Sequence, residues 1–369
     1  MVNADIRWMR RALTLARRGE GATRPNPPVG AVVVRDGRKL GEGWHARAGL
    51  PHAEVEAIAA CRSNPAGATL YVTLEPCSTQ GRTPPCTDLI IRTGITRVVA
   101  GCQDPNPVHA SRGFDVLRRA GIAIDVGCCG EACADLIAPF AKRLNEGLPY
   151  VTLKLAMTLD GKIADRRGHS KWITGDTARG YVQELRRRAD AVMVGAGTVC
   201  ADDPALTCRL PGCGDRWRVV IDGQGRVKPG ARIFSDGAAG PTVICTRSGV
   251  PHPVAAAAAG CNTVHVWPFA ARNGRFSLRA ALKRLAAAGL MHVLCEGGGT
   301  LAGALLHANL VDECVIFLAP AFLADPRAPG VAGAGFLLDR MPRFALAETR
   351  VFGDDVMIRV TRRRLCSPV

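Results

Sequence analysis

TLYVTLEPCSTQGRTPPCTDLIIRTG, residues 69–94, joins an apolar strand-like run, a proline-stiffened loop with two cysteines, and a helical pattern. The strand ends at Glu75-Pro76-Cys77, and Cys86 follows Pro84-Pro85 to open a helix that stops at Gly94. Upstream, PHAEVEAIAACR (51–62) sets Pro51-His52-Ala53-Glu54 ahead of another helical pattern. His52 and Cys86 are thus both expected at helix N-termini, where the dipole and free N–H groups favour a thiolate, the ligating form. One histidine and two cysteines make three metal ligands. The fourth tetrahedral position of a zinc ion then stays open to water, as in catalytic sites. Water bound there can ionise near pH 7. Glu54, two residues past His52, is the expected carrier of a proton to a leaving amine. H-x-E followed by P-C and a second cysteine is the zinc-deaminase signature, with the glutamate a shuttle and not a ligand. The general pattern has two residues between the cysteines, whereas Cys77 and Cys86 have eight.

A disulfide is the competing reading of that pair. The N-terminus, MVNADIRWMRRALTLARRGE, spaces Ile6, Met9, Leu13 and Ala16 at helical intervals among arginines, the pattern of an amphipathic helix and not of an export signal. A cytoplasmic location is expected, and cytosolic thiols are kept reduced. The 15 cysteines are odd in number and scattered, unlike a disulfide framework. Most are expected to be small buried residues. Cys128, Cys129 and Cys133 cluster, as do Cys208 and Cys213, without a histidine beside them to mark a metal site. No run reaches the roughly 18–20 unbroken apolar residues of a membrane span, so no membrane partner is expected. The net charge of +16 admits a nucleic-acid or a phosphate-bearing partner. Aromatics at 5% supply a stacking platform poorly. An anionic small molecule is therefore expected, and no nucleic acid.

At 369 residues, two domains are the natural expectation. Strand-like and helical segments alternate throughout, which reads as an α/β protein. GAVVVRDG, TLYVTLEP and RVVAGCQDP read as strands of the first half, with FDVLRRAGIAIDVG a further helix and strand. LNEGLPY (144–150) carries Gly147 and Pro149 before a new apolar strand, which puts the boundary at 147 and the domains at 1–147 and 148–369. The second half repeats the alternation through ADAVMVGAGTV, WRVVIDG, PTVICT, HVLCEGGG and ECVIFLAP, with the alanine run Ala255–Ala259 as a helix or loop surface. In it, Glu296-Gly297-Gly298-Gly299-Thr300 lies between a strand and the helix LAGALLHANL, so free N–H groups converge where an anion can sit. The absence of GxGxxG argues against an ordinary Rossmann domain.

PHAE with EPC-x8-C containing GRTPPC, together with RPNPPVGAVVV (24–34) and GEGWHARAG (41–49), resembles the deaminase half of the bifunctional riboflavin-biosynthesis deaminase/reductase family, whose loop is lengthened in this way. VTLKLAMTLDGKIA, SKWITG, ELRRRADAVMVGAGTVCADDPALTCR and VLCEGGGTLAGALL resemble, in that order, its reductase half. The likeness covers nearly the whole chain and is weakest at 236–285 and after 320. It implies a zinc-dependent pyrimidine deaminase domain of cytidine-deaminase-like α/β/α fold, then a dihydrofolate-reductase-like α/β domain using NADPH. One zinc per chain is implied, held by His52, Cys77 and Cys86, with Glu54 catalytic. Asn26, His45 and Arg82 would hold a pyrimidine ribosyl phosphate. The cofactor contacts carried over are Ala156, Trp172, Thr198, Asp202, Gly223, Gly298, Gly299, Thr300, Leu301, Ala302, Gly303 and Ala304. Those for the substrate are Ser170, Arg186, Leu206, Arg209 and Glu296, with Lys154 facing the cavity to orient the sugar. Arg186 and Arg209 suit a phosphate clamp by charge. Where the family commonly has one or two histidines after Cys-Ser, this chain has Thr79-Gln80. A homo-oligomer, dimer or tetramer, is expected. The rival reading is a nucleic-acid-editing zinc deaminase with a C-terminal binding domain. It predicts salt-steep binding and no nicotinamide dependence.

Overall fold

The computed structural model describes residues 2–80, 84–214, 216–235, 237, 240–255, 263–333 and 335–362. They fall into two compact units, Met1–Gly147 and Leu148–Val369. Of the alanine run, only Ala255 is among the described residues. No helix among them is long and apolar enough to cross a membrane.

The first unit runs α1 (Val2–Ala16), β1 (Gly30–Arg35), β2 (Arg38–Trp44), α2 (Ala53–Ala59), β3 (Thr69–Leu74), α3 (Cys86–Arg92), β4 (Arg97–Cys102), α4 (Arg112–Arg119), β5 (Ala123–Val126), α5 (Gly130–Leu136) and α6 (Ala138–Glu146). Its sheet has the order β2-β1-β3-β4-β5, with β1 antiparallel to both neighbours and β3, β4 and β5 parallel. The β-branched runs of β1 and β3 are buried on both faces, which helices on each side of a sheet require. Met9, Leu13 and Leu15 of α1 pack on one face with Val32 and Tyr71, while Ala53 and Ala57 of α2 pack on the other with Val33 and Leu70. The glycines of GEGW on β2 bring α2 close. A Cβ on Gly41 would lie 2.2 Å from Ala57 O, and one on Gly43 2.4 Å from Glu56 Cβ. That close seat fixes where the first turn of α2, with His52 and Glu54, is delivered.

The second unit runs β6 (Tyr150–Thr158), α7 (Asp176–Arg188), β7 (Ala191–Gly195), α8 (Ala196–Asp202), β8 (Trp217–Ile221), α9 (Arg232–Ser235), β9 (Thr242–Arg247), β10 (Val264–Phe269), β11 (Ala271–Arg272), β12 (Arg275–Phe276), α10 (Leu278–Ala287), β13 (His292–Cys295), α11 (Gly299–His307), β14 (Glu313–Ala319), β15 (Ala345–Phe352) and β16 (Asp355–Thr361). The described strands build a nine-stranded sheet, β10-β9-β8-β7-β13-β6-β14-β16-β15. It is parallel from β10 to β14, and β16 and β15 close it antiparallel. One face packs on Leu282, Leu285, Leu301 and Leu305 of α10 and α11, the other on Ala178, Val182 and Leu185 of α7. Ligands of such sheets bind beyond the carboxyl ends of the strands. There β6, β7, β8 and β13 end around one cavity of about 1790 Å³. The β15–β16 hairpin falls where the resemblance is weakest.

Candidate active sites

In the first unit, His52 is the N-cap of α2 and Cys86 the first residue of α3. The turn after β3 brings Cys77 between them. Cys77 Sγ and Cys86 Sγ lie 3.5 and 3.4 Å from His52 Nδ1. All three ligand atoms are within 4.8 Å of one another. Zn–N of ~2.05 Å and Zn–S of ~2.3 Å at the tetrahedral angle put nitrogen and sulfur roughly 3.6 Å apart, so the donor set fits zinc. No other cluster of three or more histidine, cysteine or acidic ligands with this spacing occurs among the described residues.

Electrostatics around the triad are uneven. Hydrogen bonding from Cys86, through its thiol and its backbone N–H at 3.4 Å, holds Cys77 down at about 4, with His52 adding to the effect. Pairing with Cys77 and burial push Cys86 up. This corrects one expectation: the N-terminal N–H of α3 serves its partner thiol and not the cysteine that carries it. Glu54 is 4% exposed, and its carboxyl is pushed up to about 7 by burial and by the charge at Cys77. It also hydrogen-bonds Cys86, so the first turn of α2 does aim Glu54 at the ligand cluster. Replacing Cys77 by serine is expected to weaken zinc binding beyond the roughly 10–100-fold that outer-shell changes cost. Zinc content after dialysis measures it.

His45 is 2% exposed and stands edge-on to His52, ring centroids 5.4 Å apart. Its Nδ1 contacts Pro51 O at 3.0 Å, and Nε2 meets Asn26 Nδ2 at 3.1 Å. The carbonyl fixes the Nδ1–H tautomer, so Nε2 accepts from the Asn26 amide. Both ring nitrogens are engaged, and His45, edge-on to His52, holds the Asn26 amide. Arg82 lies outside the described residues.

The sequence reading missed Glu75. Buried two residues before Cys77, its carboxylate accepts from Asp104 N (3.1 Å), Ser111 N (3.0 Å) and Gly113 N (2.9 Å). The segment QDPNPVHASRG is thereby pinned beside the triad, with Asp104 close enough to sense the charge of Cys77. The only sequence signal is an acidic residue ending an apolar strand, which does not say what it binds.

In the second unit the cavity gathers Lys154 and Ala156 from β6, Ser170 and Trp172, Arg186 from α7, and Thr198 and Asp202 from α8. Leu206, Arg209, Gly223, Glu296, Gly298, Gly299, Thr300, Leu301 and Ala304 complete the predicted set that lines it. Ala302 and Gly303 do not: Ala302 is fully buried in the core, and Gly303 abuts another backbone segment. A Cβ on Gly303 would lie 1.5 Å from Ala332 O, and one on Gly299 1.9 Å from Gly330 O. These glycines clear the path of residues 330–333 across α11. Gly303→Val is therefore expected to cost about 1–3 kcal/mol by overpacking and to lower reduction while deamination persists. Urea unfolding and the two assays read this out.

Arg186 and Glu296 form a bidentate ion pair, Nε–Oε1 2.6 Å and Nη2–Oε2 2.8 Å, with side chains 15% and 10% exposed. Arg186 Nη1 also donates to Thr207 O at 2.7 Å. Arg186, expected to clamp a phosphate, thus has three of its donors directed at protein oxygens. Burial alone would raise Glu296, but Arg186 and Lys154 outweigh it and its carboxyl lies below the usual range. Burial lowers Lys154, with Glu296 opposing. Gly298 caps α11, and its N–H donates to Thr198 Oγ1 at 3.1 Å. Ser170 donates to Asp202 at 3.2 Å. Trp172 is 68% exposed beneath the Arg179 guanidinium at 4.4 Å. A glycine-lined helix N-terminus suits a pyrophosphate. The cavity also exceeds the ~300–1,000 Å³ of a single small-ligand pocket, which leaves room for more than one small ligand.

Comparison with known proteins agrees with both units. Residues 2–102 match the model of the cytidine and deoxycytidylate deaminase zinc-binding region, and residues 149–358 match the RibD C-terminal domain. The riboflavin biosynthesis protein RibD of Aquifex aeolicus is 42% identical over 330 residues, covering 89% of this chain and 90% of that one. Its Escherichia coli counterpart is 40% identical over 368 residues, covering 96% and 98%. The solved structure of Acinetobacter baumannii RibD superposes with a TM-score of 0.85 at 36% identity, covering 99% of this chain and 100% of that one. A diaminohydroxyphosphoribosylaminopyrimidine deaminase/5-amino-6-(5-phosphoribosylamino)uracil reductase from Thermotoga maritima does so with 0.86 at 37%, covering 98% and 99%. With a cytidine-deaminase-like unit followed by a reductase unit, matched over nearly its full length, this chain belongs to the RibD family of bifunctional deaminase/reductases.

Proposed function

We propose that the chain catalyses two consecutive steps of riboflavin biosynthesis. The first is hydrolytic deamination of 2,5-diamino-6-(5-phosphoribosylamino)pyrimidin-4(3H)-one. The second is NADPH-dependent reduction of the ribosyl group to ribityl phosphate. The observation that carries the reading is the His52–Cys77–Cys86 triad with buried Glu54 against it.

One zinc per chain would be held by that triad, and when bound it supplies a water that ionises near neutral pH. Glu54 moves the protons. With its carboxyl near neutral, it can hold a proton and deliver it to the amine nitrogen that leaves as ammonia. Asn26, oriented by His45, presents its amide to the pyrimidine. Arg82 is assigned to the phosphate by charge.

In the second unit NADPH, when bound, supplies hydride to C1 of the opened ribose, and the protein supplies position. Gly298, Gly299 and Thr300 at the start of α11 would take the pyrophosphate, with Ala156, Trp172, Thr198, Asp202 and Gly223 around the rest. Lys154 orients the sugar beside Glu296. Arg209, whose guanidinium has no partner among the described residues, takes the phosphate, with Ser170 and Leu206 lining the same end. Further copies of the chain are the proposed assembly partners.

Zinc-replete protein given the diaminopyrimidinone ribosyl phosphate should release ammonia and then oxidise NADPH. If neither occurs, the reading fails. Salt-steep nucleic-acid binding without nicotinamide dependence would favour the editing deaminase.

A further inference from the structure

Gln183 and Arg186 lie one turn apart on α7, so their side chains leave the same helix face. Both hold the chain segment Thr207–Arg209. Gln183 Oε1 accepts from Arg209 N at 3.0 Å, and the Gln183 carbonyl accepts from Cys208 Sγ at 3.6 Å. Arg186 Nη1 holds Thr207 O next to them. Gln183 is only 8% exposed, so its amide oxygen is a buried, fixed acceptor.

Arg209 is the opposite case. Its side chain is exposed, lines the cavity and has no partner among the described residues. What directs it is its own backbone: anchoring Arg209 N fixes the Cα–Cβ vector from which the guanidinium enters the cavity. We infer that Gln183 is the positioning residue for the phosphate-binding Arg209, and through it sets the preference of the reductase for a phosphorylated sugar. The inference rests on the proposed function, in which Arg209 takes the substrate phosphate. Gln183 also lines the cavity, but its amide oxygen is committed to the Arg209 N–H.

The test uses the full-length, zinc-loaded protein, the deaminated ribosyl-phosphate intermediate and its dephosphorylated riboside. Gln183→Met keeps the side-chain shape and removes the acceptor. It should raise KM for the phosphorylated intermediate by about tenfold, the size of one lost hydrogen bond. Its kcat, its KM for NADPH and its KM for the riboside should each stay within about twofold of wild type, because these do not depend on the phosphate contact. Gln183→Glu, which retains an oxygen acceptor, should bring KM back to within about threefold. Arg209→Ala should raise the same KM, and the double variant Gln183→Met/Arg209→Ala should be no worse than Arg209→Ala alone. An unchanged KM in Gln183→Met beside a raised one in Arg209→Ala would overturn the inference. Parallel losses in kcat and NADPH affinity would also overturn it, since they mark a general structural role. An unchanged KM in Arg209→Ala would remove the phosphate reading itself, and the inference with it.

Discussion

Glu54→Gln is expected to retain zinc and fold normally, yet to lose deamination by about 10²–10⁴-fold, the usual worth of a positioned general acid–base. Glutamine matches the buried carboxyl in shape and is neutral, so the first turn of α2 keeps its packing. It cannot exchange a proton. The residue is not one of the three ligand atoms within 4.8 Å of one another, so metal content should not change. Reduction of supplied deaminated intermediate should be unaffected, because every residue lining the second cavity lies beyond Leu148. Zinc analysis, ammonia release and NADPH oxidation on one preparation read all three. Loss of reduction as well would contradict the assignment of the two reactions to separate units.

Glu296→Leu should have the largest effect on stability. The carboxylate is the counter-charge of Arg186 and, at longer range, of Lys154. Removing it leaves buried positive charge uncompensated, at a cost of about 3–5 kcal/mol. Replacing both partners, as in Arg186→Leu/Glu296→Leu, should recover much of that loss, since an apolar pair replaces a buried ion pair at little net cost. Urea unfolding of the single and double variants gives the comparison. Reduction should fail in both. The pH dependence has a definite sign. Because the folded carboxyl lies below its ordinary 4.5, its stabilisation is fully present above that value and is lost as pH falls through the lower folded pKa. Wild type should therefore lose stability on acidification below 4.5, and Glu296→Leu should lack that component.

How far the sequence could be read depended on the range of each interaction. The zinc triad was legible because ligation demands particular atoms, and helix starts are signalled within a few residues by prolines and capping patterns. Strands β1, β3 and β6–β9 were legible as short apolar runs bounded by turn residues. β2 was not read as a strand, because glycines interrupt its apolar pattern and only the seat of α2 explains them. The β15–β16 hairpin was missed in a stretch where no pattern stood out. Cys86 illustrates the limit: its helix-terminal position could be inferred, but the recipient of its N–H could not.

By itself the sequence determined the residue types on offer: one histidine and two cysteines that could hold a metal, a glutamate beside them, and a glycine-rich helix start. Those are properties of residue type and local spacing. Only the tertiary structure decided which groups are engaged. It turned the Arg186 guanidinium toward Glu296 and Thr207, left Arg209 open to the cavity, and anchored Arg209 through Gln183. It used His45 to orient Asn26 and Glu75 to hold the 104–113 segment. The physical reason is that a buried donor or acceptor takes whatever partner the fold brings within about 3 Å, and strand order, not sequence distance, decides which partner that is.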